Sequence, residues 1–247
     1  GTVEIVDDDT SQLSIGDVTV VEDLGIVTVN VTLNTPSASF VTVEYMTSDL
    51  GGVSGAVVGD DYVLASGLLT FIPGDVSQTF TIDIVVEVLD ELDETFGVSL
   101  FNEIGSAVLK RDAVVQITDD DAATISIGDV SVTEGQIGTT PVIVTVDLDL
   151  VVDRSVTVDF ALAGTGAFPA LGGTDYVIVG GTVTFAPFDV SENVTLTILT
   201  DTLDEYDETF AVDLSLPVNA TIADAQAIVT IVDDDFATVS VVDNAVA

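Results

Sequence analysis

Apolar and polar residues alternate with a period of two along most of the chain. In residues 27–33 the Val and Leu positions share one face, and Thr and Asn occupy the other. The same pattern returns in residues 142–148, 156–162, 194–199 and 210–216. Because successive side chains of a strand point to opposite faces, and because Val and Thr suit a half-buried pleated surface, these segments are predicted to be β-strands.

Turn-forming residues separate the alternating runs. Gly, Pro, Asn and Asp fall between them, as in residues 73–75 and in the glycine-rich segment 164–173. No segment of useful length shows the 3.6-residue period of an amphipathic helix. The pattern therefore predicts an all-β protein.

The chain also contains an internal duplication. Residues 14–22 return as 126–134, and residues 92–96 return as 206–210. Asp-Tyr pairs and triple aspartates recur in register with them, and the triplets begin at Asp7, Asp119 and Asp233. A period of about 110 residues is the size of one immunoglobulin-like sandwich, so we predict two tandem sandwiches.

Partial copies of the repeat lie at both ends of the sequence. We predict that residues 1–9 are the last strand of a preceding repeat, that 10–121 and 122–235 are two complete repeats, and that 236–247 hold the first strand of a following repeat. A lone terminal strand leaves backbone groups unpaired. Either the chain is cut from a longer array, or each chain lends its end strands to neighbouring copies.

The charge of the chain excludes several functions. Its 43 Asp and Glu residues face only three basic residues, for a formal charge of −40. Such a surface repels nucleic acid and anionic lipid, so we expect no nucleic acid partner and no direct membrane insertion. The chain has no His and no Cys, which excludes the usual nucleophilic triads and zinc sites.

The paired carboxylates do not indicate an enzyme. A glycosidase would place them beside an aromatic-rich cleft, whereas this chain has no Trp and 6% aromatic residues. We also find no transmembrane segment and no signal peptide in the sequence. We expect an extracellular or cell-surface location, with any signal removed or lying outside this segment.

Acidic residues concentrate where predicted strands end. The Asp triplets follow last strands, and a second acidic run precedes Phe96 and Phe210. Alternate loops of a sandwich gather at one end, so these carboxylates are expected to converge. A site made of oxygen ligands alone suits calcium, magnesium or manganese, and excess negative charge favours calcium. The alternative interpretation of each triplet is a solvated linker without an ion.

These landmarks resemble those of tandem Calx-β domains, the calcium-binding sandwiches of sodium–calcium exchangers, integrin β4 and many large extracellular bacterial proteins. The resemblance covers nearly the whole chain, from Glu22 to Asp121 and from Glu134 to Asp235. One position departs from it, because Val86 and Thr200 stand where the regulatory exchanger domain has the first of two adjacent aspartates. This departure lowers the number of ions expected in each repeat.

The resemblance implies Ca²⁺ ligands at matching positions of both repeats. In the first repeat they are Glu22, Asp61, Glu87, Glu91, Asp119, Asp120 and Asp121, with the Leu89 carbonyl as a further candidate. In the second they are Glu134, Asp175, Asp201, Glu205, Asp233, Asp234 and Asp235, with the Leu203 carbonyl as a further candidate. The leading triplet, Asp7, Asp8 and Asp9, is assigned to the same kind of site.

Other landmark residues are expected to be structural. Glu94 and Glu208 are predicted to be solvated or to cap a strand. Tyr62 and Phe96 in the first repeat, like Tyr176 and Phe210 in the second, are predicted to anchor the core rather than to bind sugar.

The function that we predict is an extracellular structural repeat protein whose junctions are made rigid by calcium in a head-to-tail array or filament. Its expected partners are copies of itself or adjacent repeats. The alternatives are the stalk of a calcium-dependent adhesin, a calcium-sensing regulatory module, and an acidic surface adapted to salt without specific sites.

Overall fold

The computed structural model describes residues 10–240, and these form two compact units that divide between Asp121 and Ala122. Each unit holds two antiparallel-rich sheets, and strands account for nearly all its regular structure. Among the described residues, a single 3₁₀ turn at Glu22–Leu24 interrupts the β structure. The prediction of an all-β chain with two sandwiches is confirmed.

The first unit contains nine strands in two facing sheets. One sheet has the order β6-β3-β1-β8, and the other has the order β2-β9-β7-β4-β5. The strands are β1 (Gln12–Ile15), β2 (Val18–Val21), β3 (Ile26–Leu33), β4 (Val41–Asp49), β5 (Ser66–Phe71), β6 (Ser77–Asp83), β7 (Glu94–Ile104), β8 (Ala107–Lys110) and β9 (Asp112–Thr118).

The second unit repeats this topology strand for strand. Its sheets have the orders β15-β12-β10-β17 and β11-β18-β16-β13-β14. The strands are β10 (Thr124–Ile127), β11 (Val130–Thr133), β12 (Thr139–Leu148), β13 (Val156–Gly164), β14 (Gly180–Phe185), β15 (Ser191–Leu199), β16 (Glu208–Val218), β17 (Thr221–Ile222) and β18 (Gln226–Val232).

The alternating pattern places one face of every long strand in the core. In β3 the residues Val27, Val29, Val31 and Leu33 are buried, while the residues between them face outward. Each core also receives a tyrosine from the loop that joins the fourth and fifth strands. Tyr62 stacks on Phe96 with ring centroids 4.0 Å apart, and Tyr176 stacks on Phe210 at 4.2 Å. The prediction that these four rings anchor the cores is confirmed.

The first strand of each repeat is divided between the two sheets. In the first unit, β1 belongs to one sheet and β2, after a short break at Gly16 and Asp17, belongs to the other. β2 then runs parallel to the last strand β9, with Val21 opposite Thr118. β11 and β18 pair in the same way, with Thr133 opposite Val232. As a result, the first and last strands of each repeat end side by side.

The predicted terminal strands have different outcomes. Residues 1–9 lie outside the described residues. Residues 236–240 form no strand, and the remainder of that predicted strand is also outside the described part. Ala237 donates its N–H to the Asp204 carboxylate at 2.9 Å instead of joining a strand ladder.

Within residues 10–240, no helix has the length and apolar character needed to cross a bilayer.

Candidate metal centre

Strand pairing brings three acidic segments to one end of the first sandwich. Because β2 and β9 end together, Glu22 and Asp119 emerge next to each other. β7 is antiparallel to β9 and begins there, with Glu94 opposite Ile117, so the acidic run before it enters at the same end. The resulting pocket is lined by carboxylates from all three segments together with Asp61.

Glu22, Asp119 and Asp121 form the first carboxylate group at this end of the sandwich, and Glu22 and Asp119 also line the pocket. Each offers one oxygen, and these three oxygens lie within 4.8 Å of one another. Glu22 is buried, and its Oε1 accepts the backbone N–H of Glu87 at 2.7 Å. Asp119 accepts the N–H groups of Glu91 and Asp121, both at 3.3 Å. These bonds fix the carboxylates without occupying all of their oxygen lone pairs.

Asp61, Glu91 and Glu94 form the second group of the first repeat, again with one oxygen each within 4.8 Å. Asp61 is held by its own turn, since its Oδ2 accepts the N–H of Val57 at 2.6 Å. The next residue is the core tyrosine Tyr62, so the buried ring fixes where the Asp61 carboxylate lies.

The second repeat forms one such group, from Asp175, Glu205 and Glu208. Asp175 accepts the N–H of Leu171 at 2.5 Å, which reproduces the Asp61 turn. Glu134 and Asp233 line the same pocket, and Glu134 Oε1 accepts the N–H of Asp201 at 3.0 Å.

Asp235 is the most unusual acid of the second repeat. Its side chain is 6% exposed, and its Oδ2 is a buried oxygen without a hydrogen-bond partner among the described residues. Thr200 Oγ1 is the other buried side-chain oxygen without a hydrogen-bond partner among the described residues. A buried, unpaired carboxylate oxygen is costly in a folded protein, and a bound cation would remove that cost.

The electrostatics of both pockets oppose the charged state. Burial raises the pKa values of Glu22, Asp119 and Glu134 above their usual range, and neighbouring carboxylates add to the effect. Burial, followed by the hydrogen bond and charge of Asp175, raises the pKa of Glu208 to about 7. Accumulated negative charge of this kind is what a divalent cation would neutralise.

Burial also raises the pKa values of further acids in the two pockets. For Glu87 the charge of Asp61 is the next cause, for Glu205 it is the charge of Asp201, and for Asp121 it is the charge of Asp23. Burial raises the pKa of Asp235 as well, and the charge of Asp234 is the next cause.

The structure brings most of the predicted ligands together, but not all of them. Glu87 lines the first pocket without belonging to either group of three. Asp120 is exposed and lies in neither group. In the second repeat, Asp201 and Asp234 also lie outside the group of three. The backbone N–H of Asp201 donates to Glu134, and the Asp234 carboxylate accepts the N–H of Gly135. Asp7, Asp8 and Asp9 lie outside the described residues.

The structure adds Glu94 and Glu208, which were expected to be solvated or to cap a strand, to the candidate ligands. Each is the first residue of a strand that starts inside its pocket, and each belongs to a group of three carboxylates. The recurring Asp-Glu-Thr-Phe landmark contained the signal: Phe96 and Phe210 point into the core, so the glutamate two residues earlier lies on the same side of the strand. Sequence reasoning also passed over Asp90, which is buried.

The donor set fits a hard cation. Every clustered atom is a carboxylate oxygen, and calcium takes six to eight oxygen ligands, often from several carboxylates and backbone carbonyls. The unpartnered Asp235 oxygen is an independent sign that the described protein atoms do not satisfy this end of the second repeat.

Comparison with known families supports a specific relationship. A family profile described as "Calx-beta domain" matches residues 4–129 and 119–235. The sodium/calcium exchanger Calx of Drosophila melanogaster is 38% identical over 112 residues. That match covers 44% of this chain but 11% of the exchanger, so the chain spans a small part of that relative.

Solved structures with similar folds include isolated and tandem domains. A crystal structure of CBD12 from CALX1.2 matches with a TM-score of 0.43 and 26% identity, covering 85% of this chain and 82% of that one. A crystal structure of the apo-form Calx CBD1 domain matches with a TM-score of 0.41 and 31% identity, covering 46% of this chain and all of that domain.

Proposed function

The chain belongs to the Calx-beta domain family, and from this premise we propose that its two repeats bind calcium ions at their acidic ends. The protein is then a calcium-binding structural repeat protein without enzymatic activity. It works at the cell surface or outside the cell, in a head-to-tail array or filament whose junctions calcium makes rigid.

The observation that carries calcium binding is the double carboxylate cluster of the first repeat. Six carboxylates form two groups of three, five of the six line one pocket, and backbone N–H groups hold several of them in place. In the metal-free state this arrangement concentrates like charges that repel one another at neutral pH. The residues that would hold ions are Glu22, Asp61, Glu91, Glu94, Asp119 and Asp121 in the first repeat, and Asp175, Glu205 and Glu208 in the second.

The position of the Asp triplet in the chain supports a role in rigidity. Asp119 and Asp121 belong to the first repeat's cluster, and Ala122 begins the second unit. An ion bound by Glu22, Asp119 and Asp121 would therefore fix the backbone of the segment that leaves the first repeat. Extracellular calcium is millimolar, so even weak sites would be filled, and a site at one hundred times its Kd contributes about 2.7 kcal/mol.

The array itself is supported by the duplicated sequence. The chain repeats one unit with its acidic landmarks in register, and residues 236–240 begin a third copy of the pattern that opens the second repeat. Copies of the chain, or adjacent repeats, are the partners that fit this organisation. The stalk of a calcium-dependent adhesin is the same arrangement without self-assembly.

A calcium-sensing regulatory module is the second candidate function. The 38% identity to a segment of a sodium/calcium exchanger favours it. A sensor changes conformation over micromolar calcium, whereas a structural repeat needs only the millimolar range.

Thermal unfolding with simultaneous measurement of particle size tests the proposal. The protein is heated in EDTA, in millimolar calcium and in millimolar magnesium, all at matched ionic strength. We expect a large increase of the Tm in calcium alone, and growth of the particles on calcium addition. Equal Tm values in all three conditions would refute calcium binding. If calcium raises the Tm but the protein stays monomeric, the filament is refuted and the adhesin stalk is favoured. Saturation of the Tm increase at micromolar calcium would favour the sensor.

A further inference from the structure

An exposed pair of aromatic rings stands beside the acidic pocket of the second repeat. Tyr206 and Phe168 stack with ring centroids 4.4 Å apart and an interplanar angle of 19°. Tyr206 is 71% exposed and Phe168 is 47% exposed, although aromatic side chains of this size are usually buried. The backbone of Phe168 is fixed to the strand β16, because its carbonyl oxygen accepts the N–H of Thr209 at 3.0 Å.

Phe168 also forms a wall of a separate cavity. This cavity has a volume of about 390 Å³, and its other lining residues include Asp207, Thr165, Thr209 and Ile228. Neither Lys nor Arg lines it. Asp207 is exposed, and its Oδ1 accepts the N–H of Asp233 at 3.2 Å, so the second carboxylate oxygen remains available to a ligand.

The first repeat lacks the aromatic pair at the equivalent positions, and its counterpart of Asp207 is engaged differently. Ser54 replaces Phe168, as shown by the matching hydrogen bond from Thr95 N–H to the Ser54 carbonyl at 3.0 Å. Leu92 replaces Tyr206 in the repeated landmark. Asp93, the counterpart of Asp207, accepts a hydrogen bond from the Gln116 side chain at 3.1 Å, whereas the corresponding position in the second repeat is Thr230. The aromatic pair is therefore a property of one repeat and not of the shared fold.

The chemistry around the pair selects the charge of a ligand. The cavity has an aromatic wall, two hydroxyls and a carboxylate, and the chain carries a formal charge of −40. An anion would be repelled, and a neutral apolar molecule would not use the carboxylate. An ammonium or guanidinium group would be stabilised by the aromatic ring and by the carboxylate, because the ring face attracts a cation and Asp207 supplies the counter-charge.

We propose that the second repeat binds an organic cation, an ammonium or guanidinium group, in the cavity between the Phe168–Tyr206 pair and Asp207. Phe168 contacts the cation, Tyr206 stacks behind Phe168 and positions it, and Asp207 balances the charge. The first repeat does not bind such a group. The lining of this cavity includes none of Asp175, Glu205 and Glu208, although Tyr206 also lines the acidic pocket that holds them.

Proton NMR with choline as the probe tests this site on the full chain. A cation lying over an aromatic ring has its methyl resonance shifted upfield, and the shift reports binding directly. The titration is performed in EDTA and again in calcium, at matched ionic strength. We expect a saturable upfield shift for choline and none for its neutral isostere dimethylbutanol. Equal shifts for the two probes would overturn the proposal, because they would show apolar binding alone.

Variants copied from the first repeat supply the matched controls. Phe168→Ser and Tyr206→Leu introduce the residues found at Ser54 and Leu92, and both positions are exposed, so the Tm is expected to stay within about 2 °C of the wild type. We expect Phe168→Ser to weaken choline binding at least about fivefold, and Asp207→Asn to weaken it about threefold. Unchanged binding in Phe168→Ser would refute the site.

The source of the cation is distinguished by a second probe. A short lysine-rich peptide is titrated against the wild type and Phe168→Ser at the same ionic strength. If a basic side chain of a partner is the natural ligand, the peptide binds more tightly than choline and loses affinity in Phe168→Ser. If the peptide binds both proteins equally while choline still discriminates between them, the site accepts a free organic cation.

Discussion

At the scale of single residues, an acid of the pocket is expected to destabilise the metal-free protein and to strengthen calcium binding. Glu208 begins β16 inside its pocket, and its pKa is raised to about 7 by burial and by Asp175. A carboxylate in that setting disfavours folding when it is charged and no cation is bound. The same residue belongs to the carboxylate group that would hold calcium.

The Glu208→Gln variant is therefore expected to separate these roles. Removing the charge should stabilise the protein in EDTA at pH 8 by on the order of 1 kcal/mol, or roughly 2–4 °C in Tm. In calcium the variant should gain less Tm than the wild type. Thermal unfolding in both buffers measures the two effects. Asp189→Asn changes the same charge at an exposed turn, and an equal response there would show that net charge alone is responsible.

Glu22 and Glu134 allow a comparison of the two repeats. Both are buried, and each accepts a backbone N–H through Oε1, a bond that glutamine can preserve. Glu22 belongs to a group of three carboxylates, whereas Glu134 lines its pocket outside such a group. Glu22→Gln should therefore lower calcium affinity by about ten- to a hundredfold, and Glu134→Gln should lower it less. Calorimetric titration with calcium measures this, and the reverse order would contradict the geometry.

The sequence located the acidic segments of each site, but it did not determine which of their side chains face the pocket. Glu22, Asp61 and Asp119 could be found because they directly follow or precede repeated landmarks. Whether a given acid faces the pocket depends on the path of the loop, which side-chain alternation does not determine. For this reason Glu94 and Glu208 were not among the predicted ligands, and Asp120 was included although it is exposed.

At the scale of elements, the loop between β4 and β5 is tied to the core through Tyr62. Its hydroxyl donates to Asp49 Oδ1 at 2.7 Å, and the same oxygen accepts the N–H of Val58 at 3.0 Å. Asp49 is the last residue of β4, so the bond joins the loop carrying Asp61 to the end of a strand. In the second repeat Gly164 occupies the position of Asp49, so within residues 10–240 the Tyr176 hydroxyl has no carboxylate acceptor at that position.

Tyr62→Phe should therefore destabilise the protein by about 1 kcal/mol, because the hydrogen bond from the Tyr62 hydroxyl to Asp49 Oδ1 is lost while the buried ring stays packed. Tyr176→Phe is the matched variant, and it should change the free energy of unfolding by less than half as much. Urea unfolding of both variants measures the difference. Equal losses would show that the Asp49 hydrogen bond contributes nothing specific.

Strand positions were predictable from alternation alone, since 27–33, 142–148 and 194–199 all fall within strands of the structure. The division of the first strand into β1 and β2 was not. It depends on a break at Gly16 and Asp17 and on pairing with β8 and β9, nearly a hundred residues away. Local periodicity contains no information about such distant partners.

At the scale of the whole molecule, the pH dependence of stability follows from the raised pKa values. Among them are those of Glu22, Glu87, Asp119, Glu134 and Glu208. Between the pKa of an unfolded carboxyl, about 4.3, and its higher folded value, the native state binds more protons than the unfolded state. Stability is then greatest at the acidic side of this window and falls as the pH rises through it.

In EDTA we therefore expect the Tm to decrease between pH 5 and pH 8. Calcium should reverse or flatten this trend, because it binds the deprotonated carboxylates and its affinity increases as they lose protons. A series of unfolding curves across this range, with and without calcium, measures both trends. A metal-free Tm that rises with pH would show that these acids are better stabilised when charged than the pocket geometry indicates.

The pairing of β2 with β9, and of β11 with β18, determines how each sandwich responds to a pulling force. In both pairs the first and last strands of the repeat are parallel neighbours joined by several hydrogen bonds. Tension applied through the two ends of a repeat pulls these strands in opposite directions along their length. All the hydrogen bonds between the two strands are then loaded together in shear. They cannot break one after another, as they would if the strands were peeled apart from one end. Each repeat should therefore resist being pulled apart by a force applied between its first and last strands.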